Sequence, residues 1–207
     1  MSNLKKLIEV FSGLDFSSPA DRGLQNADID LALKYKFPDG LKSAAVLLPI
    51  LDNAGNLELL LTKRSSNLAA HAGEICFPGG GVEVGDNDIT MTAIRETKEE
   101  VGINQLDIKI IGNLSTVPTF TGYIIHPVIG ILLGSPVITI DRTEVESYFT
   151  APLLFFMNQK NKKIGIRKFN NIELPMIEYQ YKDNRIWGAT AMIISLLCDR
   201  LVGGGIR

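Results

Sequence analysis

Apolar residues recur at helical spacing in several parts of the chain, and these parts predict its helices. Four of them near the N-terminus fall on one helix face: Leu4, Leu7, Ile8 and Phe11. We expect helices over residues 3–12, 28–36, 88–101 and 187–201, and a helical turn at 152–158. Asp88 stands where a residue can cap the third helix, and Gly102 stands where that helix should end.

Alternating or continuously apolar runs between turn residues predict the strands. The expected strands cover residues 43–51, 57–64, 74–77, 106–114 and 123–133. Residues 52–56 have the composition of a turn and should join the first two strands into a hairpin. Residues 162–181 alternate like a second hairpin, and the Pro-Gly-Gly-Gly segment 78–81 predicts a sharp turn. Because strands and helices do not alternate regularly, the pattern predicts an α/β (α+β) sandwich around a mixed sheet.

Length and composition suit one domain with a short extension at its N-terminus. The chain has 207 residues, of which 45% are hydrophobic, and this is enough for one substantial core. We expect residues 1–36 to form a helical extension packed on the domain and residues 37–202 to form the domain itself. Residues 203–207, rich in glycine, should be a flexible tail.

Charge and cysteine usage restrict the classes of partner and compartment. The chain has 21 Lys and Arg against 23 Asp and Glu, a net formal charge of -2, so we expect no nucleic-acid polymer as a partner. Glu9 interrupts the apolar N-terminal stretch, and prolines break the uncharged stretch 110–140. The sequence therefore predicts neither a signal peptide nor a membrane span. Two cysteines, Cys76 and Cys198, favour buried thiols in a cytoplasmic protein.

Candidate chemistry is concentrated on the third predicted helix. Glu96, Glu99 and Glu100 share an arc about 100° wide on a helix. The side expected to face the core lies elsewhere and carries Thr90, Ile94, Thr97 and Val101. Like charges at this spacing repel each other, and Arg95 can pair with Glu99 four residues later. A hard divalent cation would offset the repulsion further, because carboxylate oxygens are its preferred ligands.

Such a helix face, taken alone, is most often a solvated acidic surface. Here the segment FPGGGVEVGD, residues 77–86, precedes the helix. Its glycines allow the backbone to turn tightly and to approach a ligand closely. The glycine segment and the acidic helix together predict a site for Mg²⁺ and phosphate.

The segment 80–103 resembles the Nudix box, whose pattern is G-x5-E-x7-R-E-U-x-E-E-x-G-U with U aliphatic. Six positions match as they stand: Arg95, Glu96, Glu99, Glu100, Gly102 and Ile103. Thr97 replaces the usual aliphatic residue. The early acid is out of register by one residue, falling at Asn87 or Asp86 according to the direction of counting, and we assign its role to Asp86. The resemblance implies a Nudix-type α/β/α sandwich with a mixed sheet and a metal-dependent hydrolase.

A longer resemblance points to one branch of that family. Residues 60–80, LLTKRSSNLAAHAGEICFPGG, resemble the extended signature of the coenzyme A pyrophosphatases, and so do segments 121–130, 148–156 and 185–191. Ala69 stands where that branch usually has an Arg. The resemblance implies cleavage of the diphosphate of coenzyme A or acyl-coenzyme A. The products would be 3′,5′-ADP and 4′-phosphopantetheine or its acyl form.

The resemblance also implies roles for individual residues. Glu96, Glu99 and Glu100 would bind Mg²⁺ or Mn²⁺, and Glu99 or Glu100 would relay the proton of the attacking water. Sequence does not separate the metal ligands from the base within this set. Arg95 is grouped with the catalytic residues, as the side chain that orients Glu99. The expected substrate-binding residues are Arg64, His71, Gly79, Gly80 and Asp86.

Three alternatives remain open. The same chemistry could act on another nucleoside diphosphate derivative, such as a nucleotide sugar, ADP-ribose or a dinucleotide, and Ala69 favours this alternative. A Nudix module could also sense a nucleotide without catalysis, although a sensor has no need of all three glutamates. The third alternative is a structural acidic helix without a metal. The expected partner is a small nucleotide, with no membrane involved, and a homodimer is left open.

Overall fold

The computed structural model describes residues 2–12, 33–34, 36–169 and 172–205, and its elements follow the chain in this order. The helices with defined bounds in these ranges are α1 (Asn3–Ser12), α2 (Ile89–Val101), α3 (Leu153–Met157) and α4 (Gly188–Gly203). The first six strands are β1 (Lys42–Asn53), β2 (Asn56–Arg64), β3 (Ile75–Cys76), β4 (Gly79–Gly81), β5 (Ile108–Asn113) and β6 (Val117–Pro118). The remaining strands are β7 (Tyr123–Leu132), β8 (Val145–Pro152), β9 (Lys162–Phe169), β10 (Ile172–Tyr181) and β11 (Asn184–Trp187).

Strand β1 is the centre of an eight-stranded mixed sheet, as its continuous apolar sequence predicts. It pairs in parallel with β7 along most of its length. On its other side it pairs antiparallel with β4 near its N-terminal end and with β2 near its C-terminal end. The sheet runs β3-β2-β1-β7-β5, with β8 on β2 and β6 on β7, and a separate three-stranded sheet has the order β11-β10-β9.

Helices cover both faces of the large sheet, because successive side chains of a strand point to opposite faces. On one face Ala45 and Leu47 of β1 pack in a core cluster with Ala93 and Ile94 of α2. On the other face Leu48 of β1 packs in a second cluster with residues of α1, α3 and α4. This arrangement is the expected α/β/α sandwich.

Local signals place α2 where the sequence predicts it. The Asp88 side chain accepts a hydrogen bond from the Met91 backbone N–H at 2.8 Å, which satisfies one of the free N–H groups of the first turn. Gly102 ends the helix with a φ of 73°, in the left-handed region. The helix that carries the candidate chemistry therefore has defined ends.

The glycine segment corrects one prediction, because it forms strand β4 rather than a sharp turn. Gly79 and Gly80 pair with Val46 and Ala45 of β1. A side chain on Gly79 would overlap the backbone of Val46 and the Ala45 carbonyl oxygen. Only glycine therefore lets the two strands approach this closely.

Other differences concern elements that the apolar pattern does not mark. The sequence pattern does not predict strands β8 and β11, because β8 is mostly exposed or half-buried along its length and β11 is four residues long. The predicted helix over 28–36 lies mainly outside the described residues. Within this range the structure describes Leu33, Lys34 and Lys36, and all three are helical. At the C-terminus α4 continues to Gly203, one residue into the predicted tail, and residues 206–207 lie outside the described residues. Within the described ranges, no helix combines the length and apolar character that crossing a membrane requires.

Candidate active site

Strand β4 and helix α2 are in contact at Gly80 and Glu96. A Cβ placed on Gly80 would overlap the Glu96 carboxylate. The Glu96 carboxylate therefore occupies the space that a side chain at position 80 would fill. This contact gives a structural reason for a glycine before an acidic helix, and it joins two residues that the sequence predicts to share one site.

Arg95 organises the acidic side of α2 through several hydrogen bonds. Its Nη1 donates to Glu96 Oε1 at 2.9 Å and to Glu99 Oε2 at 3.0 Å. Its Nε and Nη2 donate to the two oxygens of Asp86, at 3.1 and 3.0 Å, and Nη2 also donates to the Gly81 carbonyl at 3.0 Å. The guanidinium thus fixes two of the three glutamates relative to the loop that precedes the helix.

Asp86 faces Arg95 and the backbone of its own loop. Besides Arg95, its Oδ2 accepts from the Thr92 hydroxyl at 2.8 Å and from the Glu83 N–H at 3.0 Å. These hydrogen bonds, that of Arg95 above all, hold the pKa of Asp86 well below its usual range. Since both oxygens accept from the protein, Asp86 supports Arg95 in this structure, and contact with a substrate stays a prediction.

Glu100 corrects the expectation that all three glutamates point away from the core. Its side chain is only 2% exposed. The buried side of α2 also differs from the predicted one, because Thr92 and Ala93 are buried whereas Thr90 is only half-buried. Oε1 of Glu100 lies 3.8 Å from Nη1 of Arg64, while Oε2 is buried without a hydrogen-bond partner among the described residues. A buried carboxylate with a free oxygen is energetically costly unless it is protonated or binds a cation.

Burial is also the main cause of the raised pKa values of Glu96 and Glu100. It raises the pKa of Glu100 to about 8, with smaller contributions in the same direction from the charges of Glu144 and Glu96 and an opposing one from Arg64. Burial likewise raises the pKa of Glu96, and the charges of Glu99 and Glu144 act in the same direction. Glu99 differs from both, because its side chain is 55% exposed.

Glu144 lies at the candidate site, although no sequence pattern predicts it there. It belongs to the segment before β8, and its charge acts on both Glu96 and Glu100. The Asp141 N–H donates to the Glu100 carbonyl at 3.0 Å, and the Ser65 N–H donates to the Glu144 carbonyl at 2.8 Å. These bonds tie the segment to both α2 and the end of β2. No local motif marks Glu144, since its proximity to the glutamates depends on pairing far apart in sequence.

The other predicted substrate-binding residues are only partly brought together. Arg64 lies at the glutamates with its side chain largely buried. Gly79 packs against β1, as described above. His71 lies on the loop after β2, exposed, with a φ of 58° and its Nδ1 3.1 Å from Glu74 Oε2. The loop is held to Arg64, whose backbone N–H donates to the Glu74 carbonyl at 2.9 Å, so His71 is linked to the cluster through its loop.

The residues at the site fit a divalent cation in their chemistry. Carboxylate oxygens are hard ligands, and the buried free oxygen of Glu100 is a ligand position without a protein partner. Across the part of the chain that the structure describes, no three His, Cys, Asp or Glu side chains are already arranged around a cation position. Arg95 accounts for part of this, because its guanidinium pairs with Glu96 and Glu99.

Both cysteines are free thiols. Burial, and to a smaller extent the charge of Glu100, raises the pKa of Cys76 to about 11, and its thiol lies 3.2 Å from the Thr62 hydroxyl. Burial also raises the pKa of Cys198 to about 12. Since the reactive form of cysteine is the thiolate, both side chains are unreactive packing groups.

Comparison with known proteins identifies the family. A model of the NUDIX domain matches residues 41–168. The chain belongs to the Nudix family. Nudix hydrolase NudL of Photorhabdus laumondii is 31% identical over 173 residues, which cover 80% of this chain and 88% of the relative. Nudix hydrolase 3 of Caenorhabditis elegans is 31% identical over 220 residues, covering 94% of this chain and 90% of the relative.

A longer relative extends the comparison. A probable nudix hydrolase of Schizosaccharomyces pombe is 37% identical over 173 residues, which cover 76% of this chain and 55% of the relative. The chain therefore spans about half the length of that protein. With the family established and these hydrolases as relatives, the chain is a Nudix hydrolase, an enzyme that acts on pyrophosphate bonds. The alternatives of a silent sensor and of a purely structural acidic helix are not favoured.

Proposed function

We propose that this Nudix hydrolase cleaves the diphosphate of coenzyme A or acyl-coenzyme A, giving 3′,5′-ADP and 4′-phosphopantetheine or its acyl form. The observation that carries the reaction is the buried Glu100 carboxylate, in which Oε2 has no hydrogen-bond partner among the described residues and Oε1 lies 3.8 Å from Arg64 Nη1. The choice of coenzyme A is supported by the resemblance of residues 60–80 to the pyrophosphatase signature. A cytoplasmic location and a homodimer stay predictions.

Glu96, Glu99 and Glu100 would hold Mg²⁺ or Mn²⁺ at this site. A bound divalent cation polarises phosphoryl oxygens and lowers the pKa of a water molecule that attacks phosphorus. Arg95 keeps the Glu96 and Glu99 carboxylates in place through its hydrogen bonds. Arg64 carries positive charge beside Glu100 and offers a fork of donors that suits a phosphate.

The general base belongs to the same small set of carboxylates. Glu99 is exposed and paired with Arg95, so it can accept a proton from water while Arg95 orients it. Glu100 is buried and carries the raised pKa, which suits a group that exchanges protons near neutral pH. Glu144, the acid outside the helix, is a third candidate because its charge acts on the same cluster.

A second substrate class is favoured by one observation at the loop after β2. Ala69 is exposed there, in the position where the coenzyme A branch usually has an Arg. An alanine supplies no positive charge to a 3′-phosphate. Other nucleoside diphosphate derivatives, including nucleotide sugars, ADP-ribose and dinucleotides, lack this phosphate and would lose nothing from the replacement.

A substrate panel tests the proposal. Product release is measured with Mg²⁺ or Mn²⁺ for coenzyme A, acyl-coenzyme A, ADP-ribose, NADH and dinucleoside polyphosphates. We expect the highest kcat/KM for a coenzyme A species, with 3′,5′-ADP as the released nucleotide. Preference for ADP-ribose or a dinucleotide would replace coenzyme A by the second substrate class and leave the metal-dependent chemistry in place.

Replacing Ala69 by Arg tests the position that departs from the branch. A charged hydrogen bond contributes about 1.5–3 kcal/mol, so Ala69→Arg should lower KM for coenzyme A by roughly tenfold or more. Dephospho-coenzyme A, which lacks the 3′-phosphate, should keep its KM. Ala70→Arg, one residue along the same exposed loop, is the control for added charge. Equal changes for both substrates would mean that residue 69 does not face the 3′-phosphate.

A further inference from the structure

The pairing of three strands places His126 on the face of the sheet that carries the glutamates. Ala45 of β1 pairs with Gly80 on one side and with His126 of β7 on the other. Paired residues in neighbouring strands point to the same face. Gly80 faces Glu96, and Ala45 packs in the cluster that includes α2. His126 therefore shares this face.

The packing of neighbouring residues supports this orientation. Val128, two residues after His126 and on the same face, is buried in the cluster with Ala93 and Ile94 of α2. Toward the N-terminal end of β1 the same face is more open. Ser43 is exposed, and Val82, whose backbone N–H donates to the Ser43 carbonyl at 3.1 Å, is 41% exposed. His126 lies at the boundary between the covered half and the open half.

The His126 ring is half-buried and has no role in holding the fold through polar contacts. No hydrogen bond or ion pair joins its imidazole to any residue in the described ranges. Burial lowers its pKa, which keeps the ring neutral near pH 7. A neutral imidazole offers one donor and one acceptor, and both are available to a ligand.

The spacing fits the part of a substrate next to the diphosphate. Two inter-strand steps separate Gly80 from His126, about 10 Å. This separation favours a contact of His126 with the sugar attached to the diphosphate over a contact with the phosphorus beside Glu96. Ala45 between Gly80 and His126 is buried, but the neighbouring open end of the face, at Ser43 and Val82, gives the substrate a surface on which to lie.

We propose that His126 is a substrate-binding residue that hydrogen-bonds an oxygen of the ribose, or of the phosphate on that ribose, in the nucleotide arm of the substrate. This inference rests on the proposed function, because it takes the glutamates as the position of the scissile diphosphate. It adds a specificity-determining residue on β7, outside both α2 and the segment 60–80.

Two substitutions at position 126 separate hydrogen bonding from packing. His126→Phe keeps a ring of similar size and removes both polar atoms, while His126→Gln keeps a donor and an acceptor. We expect His126→Phe to raise KM about threefold to tenfold, the effect of one hydrogen bond, with kcat within twofold of wild type. His126→Gln should restore most of the affinity. Tyr123→Phe, on the same strand but the opposite face, is the control and should leave KM unchanged.

The substrates and a binding measurement make each outcome decisive. An effect with coenzyme A but not with dephospho-coenzyme A assigns the contact to the 3′-phosphate, and equal effects assign it to the ribose. If the enzyme prefers ADP-ribose, the proposed coenzyme A function fails, and the His126 comparison is made with ADP-ribose. Calorimetric titration with 3′,5′-ADP and with ADP-ribose reports affinity without turnover. Wild-type KM and affinity in a folded His126→Phe variant, a loss confined to kcat, or no binding of either probe to wild type would each overturn the inference.

Discussion

The Glu100 carboxylate is a buried acid whose protonation depends on what else is bound. Without a cation, burial keeps it protonated to about pH 8. A cation that binds to it must displace this proton, so cation affinity should rise with pH in this range. The same residue therefore links metal binding and proton release to the free energy of unfolding of the protein.

Replacing Glu100 by Gln should stabilise the metal-free protein at high pH. The unfolded chain ionises this acid near pH 4.5, whereas the folded protein holds its proton to about pH 8. Between these values the folded state binds more protons, so the free energy of unfolding of wild type falls as pH rises. Gln stays neutral, and since one pKa unit is about 1.4 kcal/mol, Glu100→Gln should gain roughly 3–5 kcal/mol at pH 9 and much less at pH 5.

Urea denaturation in EDTA at the two pH values measures this difference. Glu99→Gln is the matched control, because that side chain is largely exposed and its replacement should give no such pH trend. In assays with saturating Mg²⁺, Glu100→Gln should lose roughly a hundredfold or more in kcat. A stability gain that does not vary with pH would contradict the assignment of a buried, protonated Glu100.

Gly80→Ala should remove activity and leave the fold intact. The added methyl group would overlap the Glu96 carboxylate, which is the end of a flexible side chain and can move away. Displacement of a metal ligand should cost a hundredfold or more in kcat, with little change in melting temperature. Gly81→Ala is the neighbouring control, since a Cβ there meets no atom within 4 Å. Equal activity in the two variants would show that Glu96 does not need its present position.

At the scale of the element, the C-terminal end of α2 depends on a single glycine. Gly102 has a φ of 73°, and a Cβ there would lie 2.9 Å from the Thr139 carbonyl oxygen. Gly102→Ala should therefore lower the free energy of unfolding by about 1–2 kcal/mol or more. Gly203→Ala, at the end of α4 with open space around it, should be neutral or slightly stabilising. Denaturation curves of the two variants test this, and equal stability would argue against strain at Gly102.

The elements with local signals are those that the sequence predicts. The apolar spacing of α1, the cap at Asp88 and the apolar run of β1 each depend on residues close together in the chain. The sequence predicts a turn in place of strand β4 because three glycines favour turns, and only pairing with β1 makes them a strand. The same reason explains the site. Spacing places three glutamates on one arc, but the burial of Glu100 and the approach of Glu144 result from elements that pack on the helix.

At the scale of the molecule, a cation at the site should stabilise the whole fold. The glutamates lie on a helix that packs on the central strand, so we expect them to bind a cation only in the folded state. Such a ligand adds RT ln(1 + [L]/Kd) to the free energy of unfolding, about 2.7 kcal/mol at a hundred times Kd. Melting temperature should rise with Mg²⁺ or Mn²⁺ and fall again with EDTA. In Gly80→Ala the rise should be smaller. Identical melting curves with and without the ions would contradict a metal site.

The state of the two cysteines has a practical consequence for experiments on this enzyme. Both thiols stay protonated through the neutral pH range, with pKa values of about 11 and 12, so maleimide and iodoacetamide reagents should spare them in the native protein. A cysteine introduced at an exposed position, such as Ala69 or Val84, would then be the preferred site of labelling. Fluorescent dyes could be attached to the loops around the glutamates without first removing Cys76 and Cys198.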